Sequence, residues 1–277
     1  MPRSSSPRRR PPDRGPRPAV ARAPHERELL RVCGLAAVRA LFARDAGRVE
    51  RLFFAAALAD ELVEPCRVMA TARKPYRQVD SDELARIAGT VRHGGVVAVA
   101  RPTPLSPLDP QDAAGWARDG FPLLVLDGIG NPHNLGAIAR TAAYFGIRRM
   151  VLAERPDQAL PSDASYRVAE GGLDALTLYR ARLPGARSRL KPAYRVVGTA
   201  PGRGVPVDAL GPGRPVALIL GNEESGLDAK TLAACDALVT IPGSGAVQSL
   251  NVAAAAAVLL YALTRNPSVG VSAHSRP

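Results

Sequence analysis

Residues 126–147 read LDGIGNPHNLGAIARTAAYFGI. An apolar run ends at Asp127, a turn of glycine, asparagine, proline and histidine follows, and the chain then carries Leu, Ala and Ile at helical spacing. Strand, glycine-bearing turn and helix in that order form one unit of an α/β sheet. The alternation continues downstream. The pattern predicts strands over PLLVLDGI, RRMVLA, ALTLYRA, RVVGTA, PVALILG and ALVTIPG, and helices over LGAIARTAAYFG, near 163–173, near 225–235 and over SLNVAAAAAVLLYALTR. Continuous apolar strands separated by helices predict a parallel sheet covered on both faces, with ligands at the carboxyl ends of its strands.

Upstream, residues 26–102 read as a smaller α/β domain. It has a helix after Gly34, a strand in VERLFFA and a helix through DELVEPCRVMATA that Pro65 breaks or begins. A helix capped by Ser81 and a strand in GVVAVA complete it. Residues 103–120 read as a linker, because PTPLSPLDPQDAAG carries four prolines. Residues 121–265 then form the larger domain, and 266–277 a flexible tail. Residues 1–25 form a second tail, with seven Arg and seven Pro in the first 24 positions and almost nothing to bury, a composition that predicts disorder. Such a tail could grip phosphates or be a plain solvated extension.

The formal charge is +12, with 34 Arg against 3 Lys. Arginine forks suit phosphates, so nucleic acid is the first partner to consider; a compositional bias would raise Arg as well. The three cysteines and four histidines are scattered, which suggests neither a disulfide framework nor a metal cluster, and no metal is expected. VAAAAAVLLYAL is too short to span a bilayer, and no apolar segment follows the N-terminal positive charges. A cytoplasmic protein with no membrane partner is the expectation.

Three strands of the larger domain end in unusual loops: DGIGNPHNLGAIAR, LILGNEESGL and IPGSGAVQSLNVAAAAAVLLY. The first begins like a dinucleotide fingerprint but has His133 at its third glycine position, and no acidic residue follows at the ribose distance. Asn134 falls at or beside the helix cap. Arg140 is the only charge between Asp127 and Arg148, and a guanidinium on that apolar helix needs an anion or a polar pocket. In the second loop Gly221 permits close approach of a ligand to a strand end. Glu223 and Glu224 supply carboxylates, or complement a helix dipole. In the third, Gly243 and Gly245 precede Ser249 and Asn251 at the start of an Ala-rich helix.

In this order the loops resemble the three signature motifs of the SpoU-type (TrmH-like) RNA ribose 2′-O-methyltransferases of the SPOUT superfamily, carried by NPHNLGAIARTA, LGNEESGL and IPGSGAVQSLNVAAAAA. VCGLAAVRAL and RHGGVVAVA resemble the ribosomal-protein-like substrate-binding domain often found ahead of them. The resemblance implies a trefoil-knotted parallel sheet, S-adenosyl-L-methionine as cofactor, a homodimer and an RNA substrate, rRNA or tRNA. It also implies catalytic roles for Asn134, Arg140, Glu223, Ser249 and Asn251. Thr199, Leu220, Gly221, Ile241, Ser249, Leu250 and Asn251 would line the cofactor pocket. Gly243 and Ala253 depart from the family pattern, which more often has methionine and serine there. Tyr76, Arg77 and Arg92 are either RNA contacts or ordinary surface residues. A catalytically silent RNA-binding protein that keeps the fold is the alternative reading.

Overall fold

The structure is a computed structural model, which describes residues 29–265 apart from 184, 186–189 and 212. The expected tails at 1–25 and 266–277 lie outside the described residues.

The first sheet consists of β1 (Leu30–Cys33), β2 (Val49–Phe54), β3 (Tyr76–Gln78) and β4 (Val96–Ala100), in the order β1-β4-β2-β3. β4 runs antiparallel to β1 and β2, while β3 is parallel to β2. Helices α1 (Leu35–Asp45), α2 (Val63–Thr71) and α3 (Ser81–Ala88) connect these strands. Pro65 lies in the first turn of α2, where its missing N–H removes no helical bond. The cap of α3 is Asp80, whose carboxylate accepts from the Glu83 amide at 2.7 Å, and not Ser81, which is the first helical residue. β1 and β3 carry no readable period: one has four residues, and the other has three, all exposed.

Residues 103–120 are not a bare linker. They hold β5 (Ser106–Pro107), which pairs with β8, and α4 (Pro110–Arg118), whose Ala113 and Trp116 are buried. The N-cap Asp109 and a proline at the helix start explain why a proline-rich stretch becomes helical here.

The second sheet is parallel throughout, in the order β10-β12-β9-β11-β6-β7-β8-β5. Its remaining strands are β6 (Leu123–Asp127), β7 (Arg149–Ala153), β8 (Thr177–Ala181), β9 (Arg195–Thr199), β10 (Val205–Pro206), β11 (Val216–Gly221) and β12 (Ala237–Thr240). Alternate residues of one strand enter different cores. Leu124, Leu126, Leu218 and Leu220 pack on one face, and Leu123, Val125, Ala217 and Ile219 on the other, so the strands read as continuous apolar runs. The first face is covered by α5 (Pro132–Tyr144), α6 (Asp163–Ala169), α7 (Gly172–Ala175) and α9 (Val252–Arg265), and the second in part by α4. α8 (Ala229–Ala234) joins β11 to β12.

From β6 the chain adds β7 and β8 on one side, then crosses to β9 and fills the gap with β11. The direction of winding therefore reverses between β6 and β11, and the loops leaving these two strands open a crevice.

One core cluster runs through both sheets, from Leu30, Val32 and Leu52 to Leu124, Leu218 and Leu263. Polar contacts join them as well. Arg48 Nη1 donates to Asp174 at 2.7 Å and Nη2 to the Tyr166 hydroxyl at 2.9 Å, all three residues being buried. Burial pushes the Asp174 carboxyl up against the pull of Arg48. Beside this group lies a cavity of about 250 Å³ that reaches Arg44, Thr103 and Thr177.

Candidate active site

The crevice is built by hydrogen bonds between loops far apart in sequence. The N-cap of α5 is Asn131, whose side chain accepts from the His133 amide at 2.8 Å. Asn134, read as the cap or its neighbour, lies one turn in, so its amide is free for another task. Asn134 Nδ2 donates to Glu223 Oε1 at 2.8 Å, and Asn251 Nδ2 donates to Asn134 Oδ1 at 3.2 Å. The Glu223 carboxylate also accepts from the amides of Gly130 at 3.3 Å and Asn131 at 3.4 Å. Asn251 Oδ1 accepts from the Ala253 amide at 2.9 Å and so caps α9. One residue from each of the three loops thus meets in a single chain, Glu223 to Asn134 to Asn251.

The second loop is held by a residue the sequence did not single out. Asn222 Nδ2 donates to the Gly128 carbonyl at 2.8 Å, and its Oδ1 accepts from the amides of Glu224 and Ser225, each at 3.0 Å. Gly221 does not leave room for a ligand: a Cβ there would lie 2.5 Å from the Gly226 carbonyl carbon and 2.6 Å from the Leu227 nitrogen. The close approach is that of the loop's own backbone. On the first loop, buried Gln158 accepts from the amides of Gly128 and Ile129 at 3.0 and 3.2 Å. Arg155 Nη1 donates to buried Asp127 at 2.9 Å. An Asp closing an apolar strand was a sequence signal for that pair; Gln158 had none.

Thr199, Leu220 and Ile241 lie at neighbouring strand ends. Ile219 is in register with Gly198, Val239 with Thr199, and Thr199 Oγ1 donates to the Ile219 carbonyl at 3.1 Å. From Ile241 the segment 242–251 crosses toward Asn134 with its residues exposed, Ser249 and Leu250 among them. A Cβ at Gly243 or Gly245 would meet nothing within 4 Å, so the space above this segment is open. The main chain here, outside any strand or helix, offers N–H and C=O groups suited to the edge of a purine, with Leu250 and Ile241 as apolar neighbours. The residues present therefore fit S-adenosylmethionine.

Arg140 stands apart from this group. It lies six residues beyond Asn134, about 120° around α5 and about 9 Å along it. Its side chain is 56% exposed and not enclosed in a pocket. The anion it requires is Glu170, with Nη2 to Oε2 at 2.9 Å. Among the described residues no group of three or more His, Cys, Asp or Glu could hold a metal ion, and no helix is long and apolar enough to cross a membrane.

Comparison with known proteins agrees with this geometry. The SpoU rRNA Methylase family model matches residues 122–261, and the RNA 2′-O ribose methyltransferase substrate binding model matches 31–105. The chain is 36% identical to the 23S rRNA (guanosine-2′-O-)-methyltransferase RlmB of Nitrosomonas europaea, over 68% of this chain and 73% of that protein. Against RlmB of Pseudomonas aeruginosa the identity is 34%, over 85% and 96%. The crystal structure of the SpoU methyltransferase AviRb from Streptomyces viridochromogenes, in complex with the cofactor AdoMet, matches with a TM-score of 0.68 at 27% identity, over 85% of this chain and 89% of that one. The parallel-sheet α/β fold, three loops tied at its crevice and these matches together establish that the chain belongs to the SpoU rRNA methylase family of S-adenosylmethionine-dependent RNA 2′-O-methyltransferases.

Proposed function

We propose that the protein methylates the 2′-hydroxyl of one ribose in ribosomal RNA, a guanosine of 23S rRNA being the first candidate because several relatives carry that activity in their names. The hydrogen-bonded chain Glu223–Asn134–Asn251 carries this reading, since it joins the three loops that the reaction needs together. Residues 26–102 would hold the RNA and 121–265 the donor, with a cytoplasmic homodimer as the working form. Support for the family's trefoil knot comes from α9, which packs on α5 and β11 after the chain leaves β12 at the far side of β9.

Methyl transfer to a hydroxyl is an in-line displacement, so the protein must align two reactants and ease loss of the hydroxyl proton. The bound cofactor supplies an electrophilic methyl group on a sulfonium. Asn134 presents its side-chain amide at the crevice and orients the ribose. Glu223 accepts three hydrogen bonds and acts by holding Asn134 and the first loop. Asn251 and Ser249 set the third segment against the pocket edge, while Thr199, Leu220, Ile241 and Leu250 line the donor side and Gly221 lets the second loop pack closely behind them.

Arg140 orients the ribose phosphate and stabilises the developing alkoxide. A guanidinium keeps its proton in a protein, so phosphate or water takes the proton instead. Arg140 shares a face of α5 with Tyr144, four residues on. Tyr144, Tyr261 and Val258 form an apolar surface on α5 and α9, 84%, 53% and 44% exposed. A second copy covering that face brings Arg140 to the interface margin.

Ribose-methylation mapping of total RNA with and without the gene tests the function. A site lost only in the deletion names the substrate. An unchanged map, together with no heat on titrating S-adenosylmethionine, would instead favour the catalytically silent RNA-binding protein.

A further inference from the structure

The ion pair between Arg140 and Glu170 has a use beyond the fold. Both side chains are more than half exposed, and solvent-screened pairs of this kind contribute little to stability. Glu170 also closes α6 in the left-handed region, at φ 44°, where glycine or asparagine would be less strained. Stability alone would favour another residue here.

The backbone that carries this carboxylate is nevertheless closely packed. A Cβ on Gly171 would lie 2.8 Å from Ala40 Cβ on α1, and one on Gly172 would lie 2.7 Å from Arg140 Cα. The corner at 170–172 is therefore wedged between the helix that carries Arg140 and a helix of the first sheet's domain. Packing therefore places the Glu170 backbone beside Arg140, within side-chain reach of the guanidinium.

We propose that Glu170 is an internal stand-in for the substrate phosphate: it pairs with Arg140 in the RNA-free enzyme and is exchanged for a phosphate oxygen when RNA docks. The inference rests on Arg140 being the phosphate-holding residue proposed above. A carboxylate and a phosphate present the same acceptor geometry to a guanidinium, and a solvent-screened pair is weak enough to exchange. Glu170 thus lowers affinity for every RNA by a small, fixed factor and releases Arg140 only where a phosphate reaches it.

The test is a double-mutant cycle on the full chain, with an unmodified 23S rRNA transcript as probe and binding read across a salt series. Glu170→Gln should tighten binding about three-fold. In the wild type the displaced Glu170 takes up a cation as Arg140 releases one from the RNA; without the carboxylate that release is uncompensated, so the slope of log affinity against log salt should steepen by about 0.7–0.9. Neither change should occur in an Arg140→Ala background. Unchanged affinity and slope, or the same gain in both backgrounds, would overturn the proposal; the second result would mean that Glu170 merely repels RNA. Methyl transfer to the same transcript is scored in parallel. Transfer by the wild type with no effect in the cycle removes the stand-in and leaves the function intact. No transfer with a positive cycle removes the function and keeps the exchange.

Discussion

Asn134 donates to Glu223 through one end of its amide and accepts from Asn251 through the other, so no other side chain of its size replaces it. Asn134→Asp puts a carboxylate against Glu223, and Asn134→Ala removes one of the three donors to Glu223 and the acceptor of the Asn251 side-chain N–H. We expect either change to lower kcat at least about 100-fold, the scale of losing a transition-state hydrogen-bond donor, with little change in thermal midpoint. Full activity in Asn134→Ala would remove the hydrogen-bonded chain from the mechanism. For Arg140→Lys, the phosphate-orienting role predicts a large loss with no new ionisation in the pH–rate profile. A rate rising through a new, lower pKa would make the side chain the base.

Cys33 gives a pH prediction of a different kind. Burial pushes its thiol up to about 11 from 9.0, so the folded chain keeps a proton that the unfolded chain loses. The corresponding stability is complete below pH 9 and is lost as pH rises through about 11, on the order of 2 kcal/mol. Urea midpoints of wild type and Cys33→Ala at pH 8 and pH 10.5 should converge at the higher pH.

Single residues differed in how far the sequence revealed them. Asn134, Glu223 and Asn251 were legible because motif spacing marks them, but their bonding to one another spans 89 and 117 residues and needs the fold. Asn222 and Gln158, which do the bracing, sat inside or beyond the motifs with nothing periodic about them.

At the level of elements, the long buried strands β6, β9 and β11 were legible as apolar runs. β1, β3, β5 and β10 were not, being two to four residues long. The proline count of residues 102–110 concealed α4, because one proline can start a helix as readily as several can prevent one. The junction of β11 with its loop sets another test. Gly221→Ala drives a methyl group into the backbone at Gly226 and Leu227, which cannot move without breaking the Asn222 turn. We expect a loss of about 1–3 kcal/mol in stability together with weaker S-adenosylmethionine binding by calorimetry. Unchanged values for both would show that the loop has slack.

For the molecule as a whole, Arg48 and Asp174 join the two sheets from positions 126 residues apart. Arg48→Met strands a buried carboxylate and should cost about 3 kcal/mol, near the lower end for a broken buried pair, because the adjoining cavity of about 250 Å³ has the volume to hold water beside it. A single cooperative transition shifted downward in calorimetry is the expected result; an unshifted one would leave the pair without structural weight. On the α5–α9 face, Tyr144→Glu should convert a dimer to a monomer by light scattering, and a wild type already monomeric would end the homodimer proposal.

The continuous core that unites the two sheets also has a consequence for target choice. A module hung on a string could sample many distances, whereas this one is bolted on. With the first domain holding RNA, as proposed above, the span from it to the point of methyl delivery is a built-in ruler. On that proposal an RNA is selected by the shape that lays one sugar at the end of that ruler.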